Sequence, residues 1–230
     1  NATTGNIDNW FVSGIDNVFQ HTYMLRSGDS GTATAMGAMT LDSATQALPN
    51  FLELIYSDST FSIQVRYLLT GGTSAADLAE SVKVTNISDS TVNARVFQYS
   101  DWDMNNTPLN DTVVRTNSSS MQQTDGIVSG ITSVHGGTPV PDFSQLGLFA
   151  NILGNITSTN GYFLDTAAGD GIGQSFSGDA AYAFQWNRTL AAGESFNFST
   201  DKVSSVPEPA SLFALTLGAL ALIRKRKKAA

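Results

Sequence analysis

A short acidic run near the middle of the chain has the residue types that bind hard metal ions. Asp101, Asp103 and Asn105 alternate along it, so three oxygen-bearing side chains leave one tight loop. Ca²⁺ prefers carboxylate and amide oxygens of this kind. The same residues also suit an acidic turn at a strand end, where Asp and Asn bond to the turn backbone. Both interpretations stay open, and the turn is preferred because a Ca²⁺ site needs further ligands.

The run resembles the first half of an EF-hand loop, but the resemblance stops after Asn105. Asn106 occupies the position of the turn glycine, and Thr112 occupies that of the bidentate glutamate. These departures argue against an EF-hand, while a calcium site in a β-loop stays open. Trp102 lies between the two aspartates, and an exposed indole at this place would stack on a sugar ring. The alternative for Trp102 is a core position at a strand end.

Catalytic chemistry finds little support in the sequence. His21 and His135 are the only histidines, and neither a GxSxG nor an HExxH motif is present. His21 lies in a strand-like run and is expected to be half-buried or at the surface of a strand, and His135 precedes two glycines and is expected to lie in a loop. Two carboxylates at the right separation can cleave glycosides, and Asp101, Asp103 and Asp111 would be the first candidates. Nothing distinguishes them from turn residues, so we predict that the protein is not an enzyme and has no cofactor other than Ca²⁺.

The distribution of charge divides the chain into two parts. Residues 1–206 contain seven basic and nineteen acidic residues, a net formal charge of −12. An acidic body repels phosphates, so we expect no nucleic-acid partner. The absence of cysteine rules out disulfides and thiolate metal sites. The surface must depend on Ser, Thr, Asn, Gln and Gly, since charged residues make up only 14% of the chain.

The C-terminal segment combines three elements in a fixed order. Pro207-Glu208-Pro209 comes first, and the prolines prevent a helix from continuing back into the body. Residues 210–223 carry no charge and would make a helix of about 21 Å, which is short for a permanent membrane span. A basic cluster follows and should keep the end of the chain cytoplasmic by the positive-inside rule; it consists of Arg224, Lys225, Arg226, Lys227 and Lys228.

This arrangement resembles the PEP-CTERM sorting signal of Gram-negative bacteria. The resemblance implies recognition by an exosortase, a membrane-embedded processing enzyme, and cleavage near Pro207–Pro209. It also implies transient anchoring in the inner membrane through residues 210–223, followed by delivery to the cell surface or the exopolysaccharide matrix. The alternative is a plain C-terminal membrane anchor that is not processed.

The body is predicted to be all-β. Residues 61–69 alternate apolar and polar side chains, which is typical of a half-buried strand. Further short strands separated by turn residues favour a single antiparallel β-sandwich. A helix is predicted over residues 143–153 with Asp142 as its cap. The predicted divisions are a body over 1–203, a linker over 204–209, and a hydrophobic helix with a basic tail over 210–230.

The sequence therefore predicts an exported structural protein of the cell surface or biofilm matrix. A secreted carbohydrate-binding module is the alternative, and a secreted glycoside hydrolase is a third hypothesis. Frequent Asn-x-Ser/Thr sequons leave glycosylation open, and Asn86 is one of them.

Overall fold

The computed structural model describes residues 1–126, 128–167 and 171–206. Residues 61–69, in which apolar and polar side chains alternate, do form a strand, and most of the body consists of further strands. The described residues contain one α-helix, Phe149–Ile156 (α1), two short 3₁₀-helices, Met36–Ala38 and Met104–Asn106, and the following strands: Phe11–Val12 (β1), Ile15–Asp16 (β2), Gln20–Ser27 (β3), Thr34–Ala35 (β4), Thr40–Leu48 (β5), Phe51–Ser57 (β6), Phe61–Gly71 (β7), Ala75–Asn86 (β8), Val92–Asp101 (β9), Asp111–Asn117 (β10), Ser120–Asp125 (β11), Val128–Val134 (β12), Phe143–Leu148 (β13), Thr166–Ala167 (β14), Ser175–Gly178 (β15), Ala180–Leu190 (β16) and Ser195–Ser205 (β17).

The strands pair into two large antiparallel sheets. A nine-stranded sheet has the order β15-β10-β11-β12-β17-β8-β7-β6-β5, and a six-stranded sheet has the order β14-β13-β16-β9-β3-β4. Strands β7 and β8 form a long hairpin in the nine-stranded sheet, whereas the next strand, β9, belongs to the six-stranded sheet. The prediction of an all-β, antiparallel sandwich is therefore confirmed.

The main hydrophobic core fills the space between the sheets. On the six-stranded sheet, Tyr182, Phe184 and Trp186 project from one face of β16. On the nine-stranded sheet, Phe196 and Phe198 project from β17 to meet them. Trp186 stacks on Phe198 with 4.0 Å between ring centroids. Aromatic side chains thus supply much of the apolar area that holds the two sheets together.

A second, smaller core covers the outer face of the six-stranded sheet. There Phe97 and Tyr99 of β9 pack with Ile152 and Ile156 of α1. The central strands β3, β9 and β16 are consequently buried on both faces, and their runs of buried residues replace the alternating pattern of a one-sided sheet.

Three sequence predictions differ from this structure or lie outside it. The helix begins only at Phe149, because Phe143–Leu148 pairs with β16 as a strand, and Asp142 binds Arg188 instead of capping a helix. Strand β17 continues through Ser204 and Ser205, which the sequence assigns to the linker. The hydrophobic helix of 210–230 lies outside the described residues. Within the described part of the chain, no helix is long and apolar enough to span a membrane.

Candidate functional site

An acidic cluster forms where three connections meet at one end of the sandwich. Asp101 is the last residue of β9, Asp103 precedes the 3₁₀-helix Met104–Asn106, and Asp179 links β15 to β16. Each contributes a carboxylate oxygen to a group whose members all lie within 4.8 Å of one another. The antiparallel pairing of β16 with β9 places Asp101 opposite Ala181, which explains how Asp179 reaches it.

Burial and mutual repulsion disfavour the charged form of these carboxylates. Burial, together with the charge of Asp103, raises the pKa of Asp101 to about 7, although a hydrogen bond from Tyr99 opposes the shift. Burial and the neighbouring Asp179 also raise the pKa of Asp103. Burial raises the pKa of Asp179 as well. A nearby positive charge would therefore be strongly favoured here, since it would relieve both effects.

Asp111 forms a second buried acidic position behind this cluster. Its Oδ2 accepts hydrogen bonds from Gln123 Nε2 at 2.7 Å and from the Met104 amide at 3.2 Å. Burial outweighs these two bonds and raises the pKa of Asp111 to about 8. Asp111 is fully buried at the start of β10, and it is not one of the three aspartates whose carboxylate oxygens form the cluster.

Asn105 and Trp102, the other two predicted site residues, do not belong to the carboxylate cluster. Asn105 is exposed, has a left-handed backbone with φ of 60°, and donates its amide to Asn17 Oδ1 at 3.1 Å. Trp102 is fully buried, and its ring lies edge-on to Trp10 with centroids 5.7 Å apart. The stacking role predicted for Trp102 is therefore corrected: its indole belongs to the core and presents no face to a ligand.

The cluster thus keeps Asp101 and Asp103 from the sequence prediction and adds Asp179. No local spacing connects Asp179 to the other two, which lie 76 or more positions earlier in the chain. Only the pairing of β16 with β9 could have indicated it. A cavity of about 230 Å³ lies at the cluster, and its lining includes Phe19, Pro108 and Phe149 as well as the three aspartates.

His21 takes part in a second arrangement of reactive side chains, deep between the sheets. Its Nδ1 lies 2.9 Å from Ser100 Oγ, and its Nε2 lies 3.1 Å from Glu80 Oε1. This order of hydroxyl, imidazole and carboxylate is that of a hydrolase triad. All three side chains are buried, however, so a substrate has no path to the hydroxyl. His21 lies in a strand, as the sequence predicts, but it is fully buried and not half-buried or at the surface.

Two further sequence features have simple structural roles. His135 is exposed in the loop after β12 and lies 2.6 Å from Asp201. Asn86 is fully buried, and its Nδ2 donates to the backbone oxygens of Ser90, Leu190 and Ala191. In the folded chain Asn86 therefore cannot carry a glycan.

The sorting segment begins where the folded body ends. Val206 is buried, and its amide donates to Ser74 O at 2.9 Å. Pro207, Glu208 and Pro209, the apolar residues 210–223 and the basic cluster 224–228 lie outside the described residues.

Solved structures with a similar fold come from larger proteins. A bacterial glucoamylase complexed with acarbose superposes with a TM-score of 0.64 at 12% identity, covering 94% of this chain and 32% of its own. A polysaccharide lyase gives a TM-score of 0.52 at 11% identity, with 90% and 32% covered. The chain thus spans about a third of the length of these proteins. At such identities the likeness extends to the fold alone.

The sequence comparisons bear on the C-terminal segment. No curated protein matches the sequence. The family model of the PEP-CTERM protein-sorting motif matches residues 205–227, which include Pro207-Glu208-Pro209, the apolar stretch and most of the basic cluster. The chain is therefore an exported protein that carries a PEP-CTERM sorting motif behind a β-sandwich body, as expected of an exosortase substrate.

Proposed function

We propose that this protein is a structural component of the cell surface or the exopolysaccharide matrix, released there after an exosortase cuts near Pro207–Pro209. The observation that carries the proposal is the junction at Val206. The last strand of the body and the contact of Val206 with Ser74 are complete before the first proline. A cut in the Pro-Glu-Pro segment therefore removes the tail without disturbing the sandwich.

The composition of the body supports a role as a hydrated surface component. Its net charge of −12 and its many hydroxyl and amide side chains favour solubility and resist association by self-repulsion. The tail holds the chain in the inner membrane until cleavage, with residues 210–223 in the bilayer and the basic cluster on the cytoplasmic side.

Two observations support a role other than catalysis. The arrangement of Ser100, His21 and Glu80 is sealed between the sheets. The cavity at the acidic cluster, at about 230 Å³, is smaller than the roughly 300–1,000 Å³ typical of ligand pockets, which argues against Asp101 and Asp103 as catalytic carboxylates; a cavity of about 500 Å³ lies elsewhere, at Leu146, Asp165 and Phe176. The carbohydrate-binding alternative loses its main support, because Trp10, Trp102 and Trp186 are all buried.

The test is the intact mass of the protein recovered separately from the membrane, the cell surface and the matrix of the producing cells. We expect the surface and matrix forms to end between Val206 and Pro209 and to lack every peptide from Leu212 onward. A surface form that retains Arg224 to Ala230 would contradict processing and indicate a permanently anchored ectodomain.

A deletion strain tests the structural role separately. Matrix mass and cohesion should fall on deletion and recover with the natural chain. A chain in which Pro207, Glu208 and Pro209 are replaced by alanine should remain in the membrane and fail to restore the matrix. Full recovery with this variant would show that sorting is not needed for the role.

A further inference from the structure

Asp101, Asp103 and Asp179 form a compact set of oxygen ligands that no sequence motif brings together. Their nearest carboxylate oxygens are mutually within 4.8 Å. Ca²⁺ binds oxygens at about 2.3–2.6 Å, so two ligands on opposite sides of one ion are separated by about 4.6–5.2 Å. All three carboxylates can therefore enter one coordination sphere with little movement.

Asp101 supplies a second, independent observation. Its exposed fraction is only 2%, and it lines the cavity with the other two aspartates. Oδ2 accepts a hydrogen bond from Tyr99 Oη at 3.2 Å, whereas Oδ1 is buried and has no hydrogen-bond partner among the described residues. A buried carboxylate oxygen without a partner costs about 1–3 kcal/mol or more in a folded protein. A buried oxygen without a partner, on a residue that lines the cavity with two further carboxylates, points to a positively charged ligand at this cluster.

We propose that the cavity at the acidic cluster binds one Ca²⁺ ion through Asp101, Asp103 and Asp179. Waters complete the shell on the open side, where Asp103 and Asp179 are only partly buried. With three protein carboxylates, the site belongs with extracellular modules whose Kd is about 10⁻⁴–10⁻³ M. Export takes the chain to a compartment where calcium at such concentrations is available.

The bound ion would join parts of the sandwich that are distant in sequence. Asp101 and Asp103 fix the end of β9 and the loop that leads to β10, whereas Asp179 fixes the start of β16. Because the ion binds the folded chain and not the unfolded one, it adds stability that grows with its concentration. The inference does not depend on the sorting proposal, since the ligands all lie in the body.

The experiment is a calcium titration of the full chain, purified in mild detergent and stripped with EDTA. Calorimetry with CaCl₂ should show one site per chain. A CaCl₂ concentration near 100 times the Kd should raise Tm by about 5 °C or more. In parallel, Tb³⁺ bound at the cluster should show luminescence sensitised by Trp102, which lies between Asp101 and Asp103 in the sequence.

The variant Asp179→Asn removes one ligand charge and keeps the shape of the side chain. Its own carboxylate accepts no hydrogen bond from the described residues, so the fold should survive, and circular dichroism in EDTA should match that of the natural chain. We expect its affinity for Ca²⁺ to fall at least tenfold. The matched control is Asp89→Asn, which makes the same charge change in an exposed turn and should leave the affinity unchanged.

Three outcomes would overturn the proposal. They are an absence of binding up to 10 mM CaCl₂, unchanged affinity in Asp179→Asn, and an equal loss in Asp89→Asn. The last would mean that Ca²⁺ only screens the net negative charge of the body. None of these outcomes affects the mass of the processed protein, so this failure is distinguishable from failure of the sorting proposal.

Discussion

At the scale of a single residue, the position of Trp102 depends on what lies opposite it. Gly130 of β12 faces the indole so closely that a Cβ on this glycine would lie 1.9 Å from Trp102 Cζ3. A side chain at 130 must therefore displace a fully buried ring that also contacts Trp10. The glycine is needed here for space, and the backbone conformation is an ordinary one.

We predict that Gly130→Ala lowers the free energy of unfolding by about 1–3 kcal/mol, the usual cost of forcing extra volume into a packed core. Urea denaturation followed by tryptophan fluorescence measures both the loss and the movement of the indole. Gly136→Ala is the matched control, because no atom lies within 4 Å of its added Cβ and the residue is exposed. Equal stability of the two variants would contradict the tight contact.

Residue-scale prediction from sequence could reach only features with a local signal. Asp101 and Asp103 could be selected because they are two positions apart in a turn-forming run. Asp179 could not, since its place in the cluster depends on the register of β16 against β9. The orientation of Trp102 could not be read either, because an aromatic residue at a strand end fits a core and a ligand surface equally well until the opposite residue, Gly130, is known.

At the scale of elements, a buried polar network ties the two sheets together. Glu80 of β8 accepts hydrogen bonds on Oε2 from Tyr23 of β3 and Lys202 of β17, both at 2.5 Å, and from Gln98 of β9 at 3.2 Å. Thr200 adds a fourth donor at 2.9 Å. Burial alone would raise the pKa of Glu80, but its electrostatic interactions and hydrogen bonds with His21 and Lys202 outweigh burial and hold the pKa below its usual range.

We predict that Glu80→Gln lowers the free energy of unfolding by about 3–5 kcal/mol, because Lys202 is left buried without its counter-charge. Replacing the lysine as well, in Glu80→Gln with Lys202→Met, should restore part of this loss, because no charge is then buried unpaired and the amide oxygen can still accept from Tyr23 and Thr200. The surface pair of Glu53 and Arg66 provides the control, and Glu53→Gln should cost less than about 1 kcal/mol. Urea denaturation at pH 7 compares them, and a loss in Glu80→Gln as small as in the control would contradict a coupled network.

The same network should make stability depend on pH. Burial lowers the pKa of His21, against an opposing effect of Glu80. In the unfolded chain a histidine takes up a proton near pH 6.5. As the pH falls below about 6.5, this histidine therefore gains a proton in the unfolded chain that it does not gain in the folded chain, and its contribution to stability declines. Glu80, whose pKa is also lowered on folding, adds a further decline below about pH 4.3, where the unfolded carboxylate is protonated.

From pH 7 to pH 5, the contribution of His21 should lower the free energy of unfolding by up to about 1.4 kcal/mol per pH unit for one proton. Asp101 and Asp111, whose pKa values are raised to about 7 and about 8, contribute in the opposite direction, so the effect of His21 must be isolated with a variant. His21→Gln removes this contribution, so the natural chain should lose stability relative to His21→Gln as the pH falls from 7 to 5. Denaturant titrations of both chains at four pH values are sufficient. A difference in stability between the two chains that stays constant over this range would show that His21 is protonated in the fold.

The elements themselves were only partly predictable. Strands with one buried face, such as Phe61–Gly71, show the alternating pattern and were found. Strand β13 was taken for a helix, because Leu146, Phe149, Ala150 and Leu153 fall at helical spacing. The pairing with β16 overrides that local preference for its first half, and only Phe149–Ile156 becomes helical. Tertiary pairing of this kind leaves no trace in a short window of sequence.

At the scale of the whole molecule, the sheet order shows where the chain can be cut. Strand β17 lies inside the nine-stranded sheet, between β12 and β8, and carries Phe196 and Phe198 into the main core. The last residues of the body are therefore central to it. A fold completed by its final strand needs the whole body to be synthesised before the core can close.

We therefore predict opposite results for two truncations. A chain ending at Val206 should unfold cooperatively with the same Tm as the full chain, because the pairing of Ser205 with Ala75 and the contact of Val206 with Ser74 are retained. A chain ending at Glu194 loses β17, exposes the edges of β8 and β12 and removes two core phenylalanines, each worth about 3–5 kcal/mol. It should show no cooperative transition. Scanning calorimetry separates the cases, and a chain ending at Val206 that fails to fold would place the tail within the structural unit and argue against its removal by processing.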